Sequence, residues 1–236
     1  MIFFIKLLLA HLIGDFILQP TNWVIHKEEN KVKSKYLYFH TLIHFLLIIL
    51  LLWDLGSWKL ALVISISHYV IDLVKLYASK WIKKKSVLFF TDQALHLIVI
   101  YICAFHGNLK EQTSIMFQHL DWVLITAVVF VTFPAAVMMG KLLEGFSDQI
   151  QIDHKSLPNA GKYIGIIERL FVLLFIIIGR WEVIGLLITA KSVFRFNDLK
   201  ENNNRKLTEY ILIGTLLSFG IAILTGYLFI SMRGGL

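Results

Sequence analysis

Few residues in this chain of 236 can cross-link it, break its helices or solvate its surface. A single cysteine, Cys103, excludes an internal disulfide and any cysteine-cluster metal site. Three prolines leave long helices largely uninterrupted. Charged residues make up 17% of the chain, against about 25% in a soluble domain. No apolar block alternates with period two along its length, which argues against a transmembrane β-barrel. P-loop, dinucleotide and serine nucleophile-elbow motifs are missing too. There is no internal repeat, low-complexity tract or linker.

What the chain has is hydrophobic residues, 57% of the total, and a mean hydropathy of +0.71. They fall into blocks of about 17–25 residues, the length a helix needs to cross a roughly 30 Å hydrocarbon core. The pattern predicts an all-α, polytopic transmembrane helix bundle of about eight spans, near 2–19, 37–53, 58–79, 86–105, 120–142, 161–180, 182–196 and 207–231. The seventh is short enough to be re-entrant. The first is not a cleavable signal, because Lys6, His11 and Asp15 lie within it and no A-x-A-type site follows. Residues 1–106 form a four-helix region and 107–236 a second, read together as one continuous bundle.

The net charge of +7 resides in particular loops and does not indicate nucleic acid. Lys27, Lys31, Lys33 and Lys35 lie in the first loop, and Lys80, Lys83, Lys84 and Lys85 in the third. Lys141 and Lys155 lie in the fifth, and Lys200, Arg205 and Lys206 in the seventh. Between Trp53 and Trp58 there is no Lys or Arg; 106–119 has Lys110 and the sixth turn has Arg180. The positive-inside rule then makes the odd loops cytoplasmic and sets both termini outside. Trp23, Trp53, Trp58, Trp81, Trp122 and Trp181 fall near span ends, where interfacial aromatics belong.

Each of the first four spans carries an ionisable pair at i, i+4: His11 and Asp15, His40 and His44, His68 and Asp72, Asp92 and His96. That spacing sets both members on one helix face. The loop-derived topology places all four pairs in the cytoplasmic half of the layer. Ionisable groups there cost about 2.5–3.5 kcal/mol each and pair, bind an ion or line water. Five imidazoles and three carboxylates without thiolate suit a divalent transition metal, Zn, Mn or Fe. Eight ligands exceed the four of one tetrahedral ion, so they can hold two ions or one ion with an oriented outer shell. A proton or ion pathway, and a purely structural interhelical network, remain alternatives. HTLIH has zincin spacing but no Glu after its first His, so that mechanism does not transfer. Lys75, three residues after Asp72, either pairs with it or snorkels to the surface.

A second polar set lies in spans six to eight: Glu168 and Arg169, then Lys191, Ser192 and Arg195, then Glu209 and Tyr210 with Thr215 and Ser218. Lys191 and Arg195 share a face and can grip a phosphate or an anionic lipid headgroup. An ordinary positive helix end with Glu168 or Glu209 as counter-ion reads equally well.

The segments HLIGDFILQP, HTLIHF, SHYVIDLVK and TDQALH, in that order, resemble an uncharacterised bacterial integral-membrane family, domain of unknown function 3307. ERLFVLLF, KSVFRF and EYILIGTLLSF resemble its longer members. The resemblance implies a multi-pass protein of the bacterial cytoplasmic membrane, and a soluble SatD-like protein as a partner; it supplies no activity. Analogy with membrane families of short His/Asp helices points to metal-dependent hydrolysis.

Together these readings predict an intramembrane metal-dependent hydrolase that takes a membrane-embedded or amphiphilic substrate from the cytoplasmic side. Asp15 or Asp72 would act as general base, and one or two ions would lie among the eight ligands. A divalent-metal or proton transporter is an alternative; so is a non-catalytic membrane subunit, with haem between histidines as a variant. The outer halves of the first four spans are nearly free of ionisable groups, which disfavours a conduction path.

Overall fold

A computed structural model describes residues 1–106, 119–147, 160–202 and 205–234, with backbone alone at 106, 147, 194–202 and 205. Lys110 and Lys155 lie outside the described residues, and the side chains of Arg195, Lys200 and Arg205 do too. Among the described residues the chain is all-α. The helices are α1 Ile2–Phe16, α2 Thr21–Asn30, α3 Lys35–Leu52, α4 Trp58–Ala78, α5 Lys85–His106, α6 Trp122–Ser147, α7 Ala160–Ile177, α8 Trp181–Asn202 and α9 Arg205–Met232. They divide into two compact units, Met1–Val129 and Phe130–Leu236.

Five helical segments among the described residues are long and apolar enough to cross a bilayer: Lys35–Leu52, Leu55–Ala78, Lys85–Phe105, Trp122–Phe146 and Lys206–Met232. A sixth is reached if Ile2–Phe16 and Thr21–Lys33 count as one broken span. The expected eight therefore do not all meet this measure. α1 has 15 residues, about 22 Å at 1.5 Å per residue, short of the roughly 30 Å core. α7 carries Lys162, Glu168 and Arg169 within 18 residues. α8 carries Glu182, Lys191 and further charges along its C-terminal half.

The first span departs most from expectation. α1 stops at Phe16, and the chain turns by 79° into α2. Gln19 precedes Pro20 and is thereby biased away from helical backbone. Pro20 sits extended, at φ −62° and ψ 147°, where α2 begins. The expected Lys-rich loop thus contains a ten-residue helix. The next connection is tight: Trp53 closes α3 in the left-handed region at φ 49°. Asp54 then accepts from the Gly56 N–H and the Ser57 hydroxyl, both at 2.8 Å.

In the first unit, α1 and α4 each pack against both α3 and α5, closing a four-helix ring. α3 buries Leu37, His40, His44, Ile48 and Leu52, while Leu42, Leu46 and Leu50 are about half exposed. A helix apolar on its outer face and ionisable on its inner face suits lipid, not water. Beyond the histidines the ring is filled by Leu7, Ala10, Ile48, Leu52, Leu60, Ala61, Ile64 and Ile100. In the second unit α7 packs on α8 and α9 around Val172, Ile176, Ile184, Phe219 and Ala222. Gly226 permits that approach, since a Cβ there would lie 2.6 Å from Ile176 Cδ1.

Candidate metal centre

All eight predicted ligands turn into the four-helix ring. Their i, i+4 spacing stacks each pair on the inward face, and each pair lies within a few turns of the Lys-rich helix ends. Seven of the eight are buried and Asp15 is nearly so.

Asp15 is the hub. Its Oδ1 lies 3.0 Å from His44 Nε2, 3.2 Å from His40 Nε2 and 3.4 Å from His68 Nε2. His40 and His68 Nε2 are 3.1 Å apart, and His11 Nε2 is 3.8 Å from Asp15 Oδ2. Ligand atoms around a tetrahedral ion at 2.0–2.1 Å are themselves about 3.3 Å apart, so these separations, which are hydrogen-bonding distances for His44–Asp15 and His40–His68, are also compatible with an ion. Gln93 of α5 orients the set. Its amide N–H donates to Asp15 Oδ2 at 2.9 Å, and its Oε1 is 3.2 Å from His11 Nε2. Gly14 makes room for it: a Cβ there would sit 2.5 Å from His44 Cε1 and 2.7 Å from His44 Nε2.

The other two carboxylates have ammonium partners. Lys27 of α2, read from sequence as a loop charge, is buried and donates to Asp72 Oδ2 at 2.9 Å. Lys75, about one third exposed, donates to Asp92 Oδ2 at 2.7 Å. Its hydrogen-bonded partner is thus on the neighbouring helix and is not Asp72. Among the described residues, no lysine or arginine pairs with Asp15; its ion-pair partners are imidazoles.

Three groups could hold an ion, each with ligand atoms within 4.8 Å of one another: His11, Asp15, His44 and His68; His40, His68 and Asp72; Asp72, Asp92 and His96. The first has four ligands and no ammonium. In the others a divalent ion would face Lys27 or Lys75, with repulsion of roughly 4 kcal/mol per unit-charge pair at about 4 Å and an effective dielectric near 20. His11 Nδ1, His40 Nδ1, Asp92 Oδ1 and His96 Nε2 are buried without hydrogen-bond partners. Orphaned polar atoms at this density call for an ion or water.

Lys27, Gln93 and Gly14 were not singled out from sequence. Gln93 and Gly14 adjoin Asp92 and Asp15 in TDQALH and HLIGD, a signal available in principle. Lys27 gave none, because its pairing depends on the elbow at Pro20.

The second polar set does not converge in this way. Lys191 donates to Glu168 Oε2 at 2.6 Å. Ser192 is exposed and bonds its own helix at the Ile188 carbonyl. Glu209 is exposed and Tyr210 half-buried on α9. Arg195 lies outside the described side chains. Arg169 is buried, with its Nε donating to the Val131 carbonyl at 2.6 Å, and its terminal nitrogens to Ser218 Oγ at 3.1 Å and the Thr132 carbonyl at 3.4 Å. Both carbonyls lie in the turn before Pro134, inside α6, where a proline withholds a ladder donor and disturbs the preceding turn.

No curated protein and no solved structure matches the chain. A family match covers residues 3–124, hence all four helices of the His/Asp layer. The chain therefore belongs to the family described as a protein of unknown function, DUF3307.

Proposed function

We propose that this chain is a membrane-embedded, metal-dependent hydrolase whose centre is built on Asp15. One observation carries the reading: a buried carboxylate with three imidazole nitrogens within 3.4 Å of one oxygen and no ammonium partner among the described residues. Such a site lacks a positive charge, and a divalent ion supplies it. Asp15, His44, His68 and His11 would be the ligands, and Gln93 would fix the carboxylate and one ring, as outer-shell groups do. Bound there, Zn or a similar ion lowers the pKa of a water and polarises a carbonyl or phosphoryl oxygen. With Asp15 as a ligand, Asp72 would be the base that takes the water proton; its Oδ1 is 3.7 Å from His96 Nε2.

Hydrolysis is favoured over transport by the packing beyond the layer, where the described ring core is mainly apolar, with Lys6 and Ser65 as buried polar residues of α1 and α4. The apolar outer faces of α3 and α4 suit lipid surroundings and a substrate that enters from them. By the positive-inside rule the Lys-rich helix ends next to the layer favour a cytoplasmic side for it. Lys191 and Arg195 remain candidates for an anionic group of that substrate, although Lys191 already has Glu168. The test is a panel of amphiphilic carboxylic and phosphoric esters offered to the purified protein in detergent. Cleavage should vanish with a chelator, return with Zn or Mn, and be absent from Asp15→Asn. Chelator-insensitive cleavage would overturn the reading.

A further inference from the structure

The same layer holds a second set of possible ligand atoms that are not ligands in the Asp15 centre. Asp92 Oδ1 and His96 Nε2 are buried, have no hydrogen-bond partner, and lie 3.4 Å apart. Asp72 Oδ1 lies 3.7 Å from the same nitrogen. By chemistry and spacing Asp72, Asp92 and His96 could hold an ion. What sets it apart is the far oxygen of each carboxylate: Lys27 Nζ sits 2.9 Å from Asp72 Oδ2, and Lys75 Nζ 2.7 Å from Asp92 Oδ2.

Charge then decides the occupancy. With neutral imidazoles, three carboxylates against two ammonium groups leave the layer one positive charge short of neutral. One divalent ion with a bound hydroxide closes that balance. A second divalent ion would leave two further positive charges in an apolar ring, close to both lysines, where charge is costly. A water, held by three polar atoms, satisfies the Asp72, Asp92 and His96 set without charge.

We infer that Lys27 stands in place of a second divalent ion, so that the layer takes one metal, and that removing this ammonium opens a second metal site at Asp72, Asp92 and His96. The inference rests on the Asp15 centre being a metal site. It gives the elbow helix α2 a chemical task, since Lys27 is the residue through which α2 reaches the layer.

The experiment is the zinc-to-protein ratio of the purified full chain after incubation with excess zinc and removal of the free ion. The native chain should bind one ion, Lys27→Met two, and Lys27→Arg one, because Arg restores the charge. Adding Asp92→Asn to Lys27→Met should return the ratio to one. Lys27→Gln, which keeps a donor to Asp72, should also bind two, and replaces the Met variant if that one does not fold. Two ions in the native chain, or one in Lys27→Met and Lys27→Gln, overturns the inference while leaving the Asp15 centre standing. No ion in the native chain overturns both.

Discussion

Asp15 differs from Asp72 and Asp92 in its neighbours rather than in its chemistry. Buried carboxylates need a partner, and here two have lysines while the third has imidazoles. Asp15→Asn should accordingly lower metal affinity by more than the 10–100-fold typical of losing an outer-shell partner, whereas Gln93→Leu should fall within that range. Zinc titration of both variants checks the order, and equal effects would deny Asp15 its place as a ligand. Gly14→Ala is a sharper case. Alanine favours helix over glycine by about 0.5–1 kcal/mol, so α1 alone should gain. The added methyl would meet the His44 ring at 2.5 Å, and that ring is buried. Overpacking costs about 1–3 kcal/mol and outweighs that gain, so thermal stability without metal should fall and metal affinity should drop at least about tenfold; unchanged affinity would mean that His44 is no ligand.

Among the elements, the spans that sequence periodicity predicts and those the structure contains agree where helices are plain. α3, α4, α5, α6 and the body of α9 are long apolar runs and read directly from composition. The His/Asp face was legible for a related reason: i, i+4 spacing on four helices fixes direction without tertiary knowledge. The elbow was not legible. A run from Ile2 to Leu18 looks like a span, and only the conflict between Gln19, Pro20 and helical backbone shows that it turns. Lys27 inherits that uncertainty, because a lysine in a loop and one on a helix aimed at Asp72 have the same sequence. Arg169, a member of the second polar set, has as partners the Val131 and Thr132 carbonyls before Pro134 and the Ser218 hydroxyl. Hydrogen bonds from a charged donor contribute about 1.5–3 kcal/mol, so Arg169→Leu should destabilise the protein by at least about 2 kcal/mol. With Pro134→Ala the α6 ladder is restored and fewer acceptors remain to be satisfied. The two changes should therefore be non-additive, the double variant being more stable than the sum predicts. Additive denaturation energies would separate Arg169 from the proline.

For the molecule as a whole, access to the centre depends on which face of the membrane holds the Lys-rich helix ends. In a Cys103→Ser background, cysteines placed at Lys33 and Lys84, both exposed, should resist an impermeant thiol reagent in intact cells. One placed at Leu55, which is 80% exposed at the opposite end of α3, should label. The reverse pattern would place the centre toward the outside. The central claim, that the His/Asp layer is a metal centre with Asp15 at its hub, is tested most directly by X-ray absorption at the metal edge of the purified chain. The account predicts a bound ion with a nitrogen and oxygen shell at about 2.0–2.2 Å, carrying the outer-shell scattering of two or three imidazoles. A metal-free chain, or an ion surrounded by oxygen without imidazole, would contradict it.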